Sequence, residues 1–212
     1  MTELKRMNES FEKFLAPTPL IEADHPAIWA KAETLMEGAV GPAEKARCLF
    51  DFVRDEVGYV FRAPVREARA FRASEILRVR RGYCTQKAIL FCALARSCRI
   101  PAGICFYDIV DHTLSERVVR LLRTRTLVHH GVAALHLNGV WRVFDATLDR
   151  RLVEQNNLIP VEFDPEQDCL MHPETRDGRK HVEYVEDYGL VADVSFEELM
   201  GWFKEGYPHL FG

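Results

Sequence analysis

Among the six cysteines of this chain, Cys84 occupies a position where a thiol can act as a nucleophile. It directly follows the turn Arg81-Gly82-Tyr83, at the predicted first turn of a buried helix. There the unpaired backbone N–H groups and the helix dipole favour an anion, which lowers the pKa of a thiol. The same N–H groups can hold the oxyanion that forms when a thiolate attacks a carbonyl. The alternative is a core cysteine, which is the interpretation that we favour for Cys92, Cys98 and Cys105.

A β-hairpin is the clearest local prediction in the sequence. Asn138-Gly139 separates two strand-like runs, Leu127–Leu137 and Val140–Thr147. Asn-Gly is the strongest short signal for a hairpin because a type I′ turn needs positive φ at both central residues. The predicted register therefore follows from a two-residue turn.

This register brings a histidine and an aspartate together. His130 and Asp145 lie on the same face as diagonal neighbours, roughly 7–8 Å apart at the backbone, within reach of a His–Asp hydrogen bond. His129 points to the other face, and His136 pairs with Trp141. A one-residue slip of register would reverse the faces.

The three residues Cys84, His130 and Asp145 can together perform nucleophilic catalysis. A carboxylate fixes the tautomer of an imidazole and stabilises the imidazolium, and the imidazole activates the nucleophile. The alternative is that His130 is a satisfied core histidine and Asp145 a turn former at the end of a strand.

Other predicted elements surround these residues. Helices are predicted over about 1–14, 26–36, 42–57, 75–80 and 84–97, and Ser74 is the predicted cap of the helix at 75–80. A last helix is predicted after the capping-box pair Ser195 and Glu198. Strands are predicted over 59–61, 103–110, 161–163 and 182–185. The Arg-rich stretch 111–126 indicates a solvated helix or loop rather than a binding patch.

Composition excludes several classes of protein. The chain has 212 residues, 48% hydrophobic and 28% charged, with a net charge of −4, which is typical of a soluble globular protein that binds neither nucleic acid nor an anionic membrane. No apolar run approaches the roughly 18–20 residues that span a bilayer, and we see no signal peptide, so we expect a cytoplasmic protein. Without a Cys-x-x-Cys pair, the cysteines indicate thiols rather than a disulfide framework.

We expect one domain over 1–212, with a core at about 40–150, an N-terminal helical segment and a C-terminal extension at about 148–212.

Two motifs together resemble the transglutaminase-like superfamily. Gly82-Tyr83-Cys84, the Ala- and Leu-rich helix and Arg99-Ile100-Pro101-Ala102 are similar to the family's cysteine motif. His130 and the run Trp141–Thr147 are similar to its His/Asp hairpin, with the family's spacing. The resemblance covers roughly residues 40–150. It departs from the family at Gly131-Val132, where Ala-Trp is usual, and at Arg99, where Gly is usual, and these changes bear on the substrate class.

The resemblance implies an α+β, papain-like core with the catalytic cysteine at the N-terminus of a buried helix packed on a small antiparallel sheet. It implies Cys84 as nucleophile, His130 as general base and then acid, and Asp145 as the orienting carboxylate. Tyr59 is a candidate second donor to the oxyanion, although a core tyrosine is an equal alternative. The mechanism needs no metal and no cofactor, and the expected partner is a peptide or protein substrate.

Several functions are compatible with such a fold. The leading hypothesis is a thiol-dependent amide or peptide hydrolase or acyl transferase. Hydrolysis is favoured because the chain lacks the extra β-sandwich domains and acidic calcium loops of animal transglutaminases. The alternatives are a protein-crosslinking transglutaminase, a zinc site formed by Cys84, His130 and Asp145, and a non-catalytic protein-binding module on the same fold.

Overall fold

The computed structural model of the protein describes residues 11–61 and 65–211. Its α-helices are α1 (Pro26–Leu35), α2 (Gly41–Asp51), α3 (Ala73–Val79), α4 (Cys84–Ser97), α5 (Glu116–Leu122), α6 (Arg150–Gln155) and α7 (Phe196–Gly206). A π-helical turn, Phe52–Glu56, continues α2. The predicted helix at 1–14 lies mostly outside the described residues. No helix in the described part of the chain combines the length and apolar character needed to cross a bilayer.

Within the described residues the strands form two sheets. The larger is antiparallel, in the order β5 (Val140–Phe144), β4 (Thr126–Leu137), β3 (Ala102–Asp111), β6 (Val182–Val191). The smaller pairs β1 (Gly58–Tyr59) in parallel with β2 (Arg81–Gly82), directly before α4. The chain is therefore α+β, as predicted.

Helix α4 lies at the centre of the main hydrophobic core. Every residue from Cys84 to Arg96 is buried, because α1, α2 and α3 cover it on one side and strands β3 and β4 on the other. Its apolar residues Ile89, Leu90 and Phe91 are fully excluded from solvent. Burial of each such side chain contributes roughly 1.5–3 kcal/mol to folding, which holds the helix rigidly against the sheet.

The hairpin has the predicted register, since Leu137 pairs with Val140, and both turn residues have positive φ, 51° at Asn138 and 84° at Gly139. Strand β5 nevertheless ends at Phe144, not at Thr147 as predicted. The segment around Cys169 takes over the pairing at this point: its N–H donates to Val143 and its carbonyl accepts from Asp145.

Two other local predictions were wrong. Ser74 does not cap a helix, because α3 begins one residue earlier and the Ser74 N–H is instead satisfied by the Glu22 carboxylate at 2.9 Å. Residues 161–163 form no strand, and the Val161 carbonyl accepts a hydrogen bond from Nη1 of Arg54. In both cases a side chain distant in sequence satisfies the backbone, which local patterns do not reveal.

Arg96 links three separate segments beneath α4. Its guanidinium is buried and donates to the carbonyl of Ala16 at 2.6 Å, to Ala102 at 2.8 Å and to Ala192. These carbonyls belong to the N-terminal segment, the start of β3 and the segment after β6. A single cation therefore satisfies backbone groups that would otherwise be left without a partner beneath the helix.

Substitution of Arg96 by Met should destabilise the fold by about 3 kcal/mol or more, because hydrogen bonds to a charged group contribute roughly 1.5–3 kcal/mol each. Urea unfolding should show a lower midpoint. Arg47→Met on the exposed face of α2 is the matched control and should change stability by less than about 1 kcal/mol. An Arg96→Met protein as stable as the control would contradict this role.

Candidate active site

Cys84 is the first residue of α4, and the preceding strand determines where that helix starts. Gly82 pairs with Tyr59 across the small parallel sheet, and Tyr83 is the N-cap. The Gln86 side chain accepts from the Tyr83 N–H at 3.1 Å and donates to the Ala70 carbonyl at 2.7 Å. The thiol therefore lies at a fixed helix N-terminus, as the sequence predicted.

His130 and Asp145 are in direct contact. Nε2 of His130 lies 2.7 Å from Oδ2 of Asp145, and both side chains are buried. The carboxylate receives two further hydrogen bonds, from the Thr147 N–H at 3.0 Å and from the Tyr184 hydroxyl at 3.1 Å. With these three donors the carboxylate is held ionised.

The other ring nitrogen of His130, Nδ1, has no hydrogen-bond partner of ordinary length within residues 11–61 and 65–211. The Cys84 thiol is the reactive group beside the ring, and the two shift each other's pKa. Burial alone would lower the pKa of His130, but the charges of Asp145 and Cys84 outweigh it and raise this pKa to about 10. The imidazole is therefore protonated near neutral pH.

Burial also opposes ionisation of the Cys84 thiol. The positive charge of His130, the N–H of Gly131 and the Thr85 hydroxyl, 3.8 Å from the sulfur, together outweigh it and hold the thiol pKa below its ordinary value. The same reasoning applies to Asp145: burial would raise its pKa, but His130 and the hydrogen bonds from Thr147 lower it. The cluster favours a thiolate, an imidazolium and a carboxylate.

In contrast to Cys84, other buried cysteines have thiol pKa values above the ordinary value. Burial raises the pKa of Cys92 to about 12 and that of Cys105 to about 11. The Cys92 thiol donates to the Gly103 carbonyl at 3.0 Å, as a structural thiol does. The surroundings therefore distinguish Cys84 from these two residues, as the sequence predicted: they lower the thiol pKa at Cys84 and raise it at Cys92 and Cys105.

A β-bulge directly before His130 separates it from His129. The pairing of β3 with β4 is irregular between Tyr107 and Ile109, and His129 adopts a positive φ of 50°. Asp108 accepts from the His129 N–H at 2.8 Å and so stabilises this conformation. The two histidines point apart, as predicted, but the bulge contributes to this in addition to simple strand alternation.

Tyr59 lies beside the cluster. Burial, together with the charges of Cys84, Asp111 and Asp145, raises the pKa of its hydroxyl well above the ordinary value, although the side chain as a whole is only partly buried. The hydroxyl therefore remains a proton donor at all physiological pH values. Its contribution to an oxyanion site stays a prediction.

Two residues of the site were not identified from the sequence. Tyr184 holds Asp145 from β6, and Lys87 donates from α4 to the carbonyls of Arg54 at 3.0 Å and Val57 at 2.6 Å. Burial lowers the pKa of Lys87 to about 7. A lysine within a helix predicted to be buried on most faces was a usable signal, because such a group needs internal hydrogen-bond acceptors.

The zinc alternative requires a cluster of metal-ligating side chains. Within the part of the chain that the structure describes, no group of three or more His, Cys, Asp and Glu side chains is arranged to hold a metal ion. The His129 ring lies between Tyr188 and Trp202, away from His130.

Comparison with known families places this arrangement in a class. The profile of the transglutaminase-like superfamily matches residues 30–146, which begins about ten residues before the resemblance that the motifs suggested. The chain belongs to this superfamily. A comparison with curated proteins finds no match.

One solved structure shows the same fold. The chain is similar to a candidate cysteine protease from Cytophaga hutchinsonii, with 19% identity and a TM-score of 0.51, over 88% of this chain and 57% of that one. It is also similar to the periplasmic domain of TgpA from Pseudomonas aeruginosa, with 17% identity and a TM-score of 0.42, over 63% of this chain and 45% of that one. The chain thus spans little more than half the length of the Cytophaga protein.

Removal of the imidazole should make Cys84 less reactive. In His130→Ala the thiol keeps its burial but loses the cation that lowers its pKa, so this pKa should rise by more than one unit. Alkylation by iodoacetamide between pH 5 and 9, with the labelled cysteine identified by mass spectrometry, measures the change. Half-buried Cys48 should be replaced by Ser in both proteins so that it does not compete. Equal rates at Cys84 with and without His130 would mean that the imidazole does not activate the thiol.

Gly131 allows β4 to lie against the start of α4. A Cβ at this position would come within 3.0 Å of Thr85 Cα, a backbone atom that cannot rotate away. Gly131→Ala should therefore move the strand away from Cys84, costing roughly 1–3 kcal/mol in urea unfolding and slowing alkylation. Gly201→Ala in α7, where a Cβ meets open space, is the control. Similar behaviour of the two variants would show that the close approach is unnecessary.

Proposed function

We propose that this protein is a thiol-dependent hydrolase of peptide or side-chain amide bonds, with Cys84 as nucleophile. Because its pKa is raised to about 10, His130 starts protonated and acts as general acid and then base, the reverse of the order that the resemblance implies, and Asp145 orients it. The observation that carries this proposal is the buried His130–Asp145 ion pair beside a thiol of lowered pKa at a helix N-terminus. Unlike a satisfied core histidine, His130 has a second ring nitrogen, Nδ1, that no hydrogen bond of ordinary length occupies in the described part of the chain and that is left for Cys84.

The reaction follows from these positions. The Cys84 thiolate attacks the amide carbon, and the carbonyl electrons move onto oxygen. The N–H groups in the first turn of α4 and the Tyr59 hydroxyl stabilise this oxyanion. As the intermediate collapses, Nδ1 of His130 protonates the departing amine and leaves a thioester on Cys84. The now neutral imidazole takes a proton from water, and the resulting hydroxide attacks the thioester. The carboxylic acid is then released, and the thiolate–imidazolium pair is restored.

Water is the acceptor that we favour. Cys84 retains only 7% of its surface exposed, which admits a water molecule more readily than a lysine side chain on a second protein. Crosslinking uses the same thioester and differs only in the acceptor. The two reactions are therefore separated by their products rather than by the cluster.

A library of fluorogenic peptide amides tests the proposal. Cys84→Ala and His130→Gln should each lose at least about 10³-fold in kcat/KM, as is usual when residues of one catalytic unit are removed. Cys48→Ser should retain activity. Activity that survives in Cys84→Ala would refute the mechanism, and incorporation of a fluorescent primary amine in preference to water would identify a transferase.

The pH profile should be bell-shaped. Activity should rise with ionisation of the Cys84 thiol and fall as the imidazolium loses its proton near pH 10. In Asp145→Asn the carboxylate no longer supports the imidazolium, so the alkaline limb should move to lower pH. An alkaline limb that stays in place would show that Asp145 does not control the ionisation of His130.

A further inference from the structure

An aromatic cavity lies beside His129, the neighbour of His130, and the mechanism above does not use it. Its volume is about 430 Å³. It is lined by Asp108, Val128, His129, Tyr188, Trp202, Glu205 and Gly206.

Three stacked rings form one wall of this cavity. The His129 ring lies between Tyr188, with centroids 4.3 Å apart and planes at 13°, and Trp202, at 4.4 Å and 11°. Trp202 also packs edge-on against buried Phe106 at 4.9 Å, which fixes the stack to the core. Tyr188 is about half exposed, so the stack is anchored to the core at Trp202 and open to solvent at Tyr188.

Two β-bulges position the rings of this stack. The first is at His129, and the second is in β6, where the pairing with β3 shifts next to Tyr188 and Gly189 has a φ of 79°. Asp108, on the strand between them, accepts from the His129 N–H at 2.8 Å and from the Tyr188 hydroxyl at 3.1 Å. One carboxylate therefore holds the irregular backbone at His129 and the ring of Tyr188. Bulges that re-aim side chains in this way are frequent at functional sites.

The cavity is negatively charged. Asp108 and Glu205 line it, and among the residues that the structure describes no lysine or arginine does so. Burial together with the charges of Asp108, Glu186 and Glu205 raises the pKa of Tyr188. Burial lowers the pKa of His129 despite these carboxylates, so the ring stays neutral and does not cancel their charge. Carboxylates beside aromatic faces attract an organic cation through both its charge and the ring quadrupole.

Helix α7 connects this cavity to the candidate active site. Phe203 packs edge-on against Tyr83, the neighbour of Cys84, at 5.9 Å, while the adjacent Trp202 stacks on His129, the neighbour of His130. Adjacent residues of a single helix therefore contact both the N-cap of α4 and the aromatic stack.

We propose that the cavity formed by the Tyr188–His129–Trp202 stack with Asp108 and Glu205 binds a cationic side chain, arginine or lysine, of the polypeptide substrate. Because Tyr188 and Trp202 cover both faces of the His129 ring, the cation lies against the outer face of Tyr188 at the open end of the stack, with its charge directed toward the two carboxylates. That the ligand belongs to a substrate rests on the proposed function, whereas the binding of the cation does not.

Binding is measured on the Cys84→Ala protein, so that no turnover interferes. The probe is N-acetyl-arginine methylamide, and its neutral analogue is the citrulline compound of nearly the same shape. Titration followed by tryptophan fluorescence should show saturable binding of the arginine compound, roughly tenfold tighter than that of citrulline, with Trp202 as the responding residue. Equal binding of the two compounds, or no saturable binding, would overturn the proposal.

A pair of charge variants on α7 locates the site. Glu205→Gln should weaken binding of the arginine compound several-fold, and Glu197→Gln, exposed on the same helix but outside the cavity, should not. If both variants weaken binding equally, the effect is general electrostatics and the site is wrongly placed.

The two proposals fail separately. If the active protein hydrolyses peptides without preferring arginine or lysine over citrulline or norleucine at any position, the cation site is not a substrate site and this inference falls alone. If no peptide is hydrolysed but Cys84→Ala binds the arginine compound in a Glu205-dependent manner, the cation site stands and the proposed hydrolase does not.

Discussion

The bond between Nε2 of His130 and Oδ2 of Asp145 determines the state of the rest of the cluster. Both groups are buried, and a buried charge without a partner is strongly unfavourable, so each ion is stable only because the other is present. The bond also assigns the two ring nitrogens, since it leaves Nδ1 for Cys84. The contact contributes to the raised pKa of His130, and the charge of His130 in turn contributes to the lowered pKa of the thiol.

Three parts of the chain must be held together for that contact to act on the thiol. Helix α4 presents Cys84, strand β4 presents His130, and the end of the hairpin presents Asp145. Gly131 allows the first two to approach closely, and Tyr184 of β6 holds the third. The full burial of α4 supplies the rigidity, because a helix packed on all sides cannot slide without opening cavities.

The bulge at His129 gives two adjacent histidines different surroundings. His130 enters a charged, buried cluster in which it is protonated, whereas His129 enters an aromatic stack in which burial keeps it neutral. Asp108 maintains this division by holding the bulge through the His129 N–H. One irregularity in one strand thus separates two chemical environments that are a single residue apart in sequence.

The sequence by itself determined the start and burial of α4, the hairpin and its register, and hence the contact between His130 and Asp145. These follow from short-range rules: a glycine turn before an apolar helix, and an Asn-Gly pair that needs positive φ at both residues. The end of β5 at Phe144, the bulge at His129 and the role of Tyr184 were decided only by the tertiary structure. Each depends on a group distant in sequence, the Cys169 backbone, the Asp108 carboxylate or the Asp145 carboxylate, and local patterns carry no information about which distant group will satisfy a given hydrogen bond.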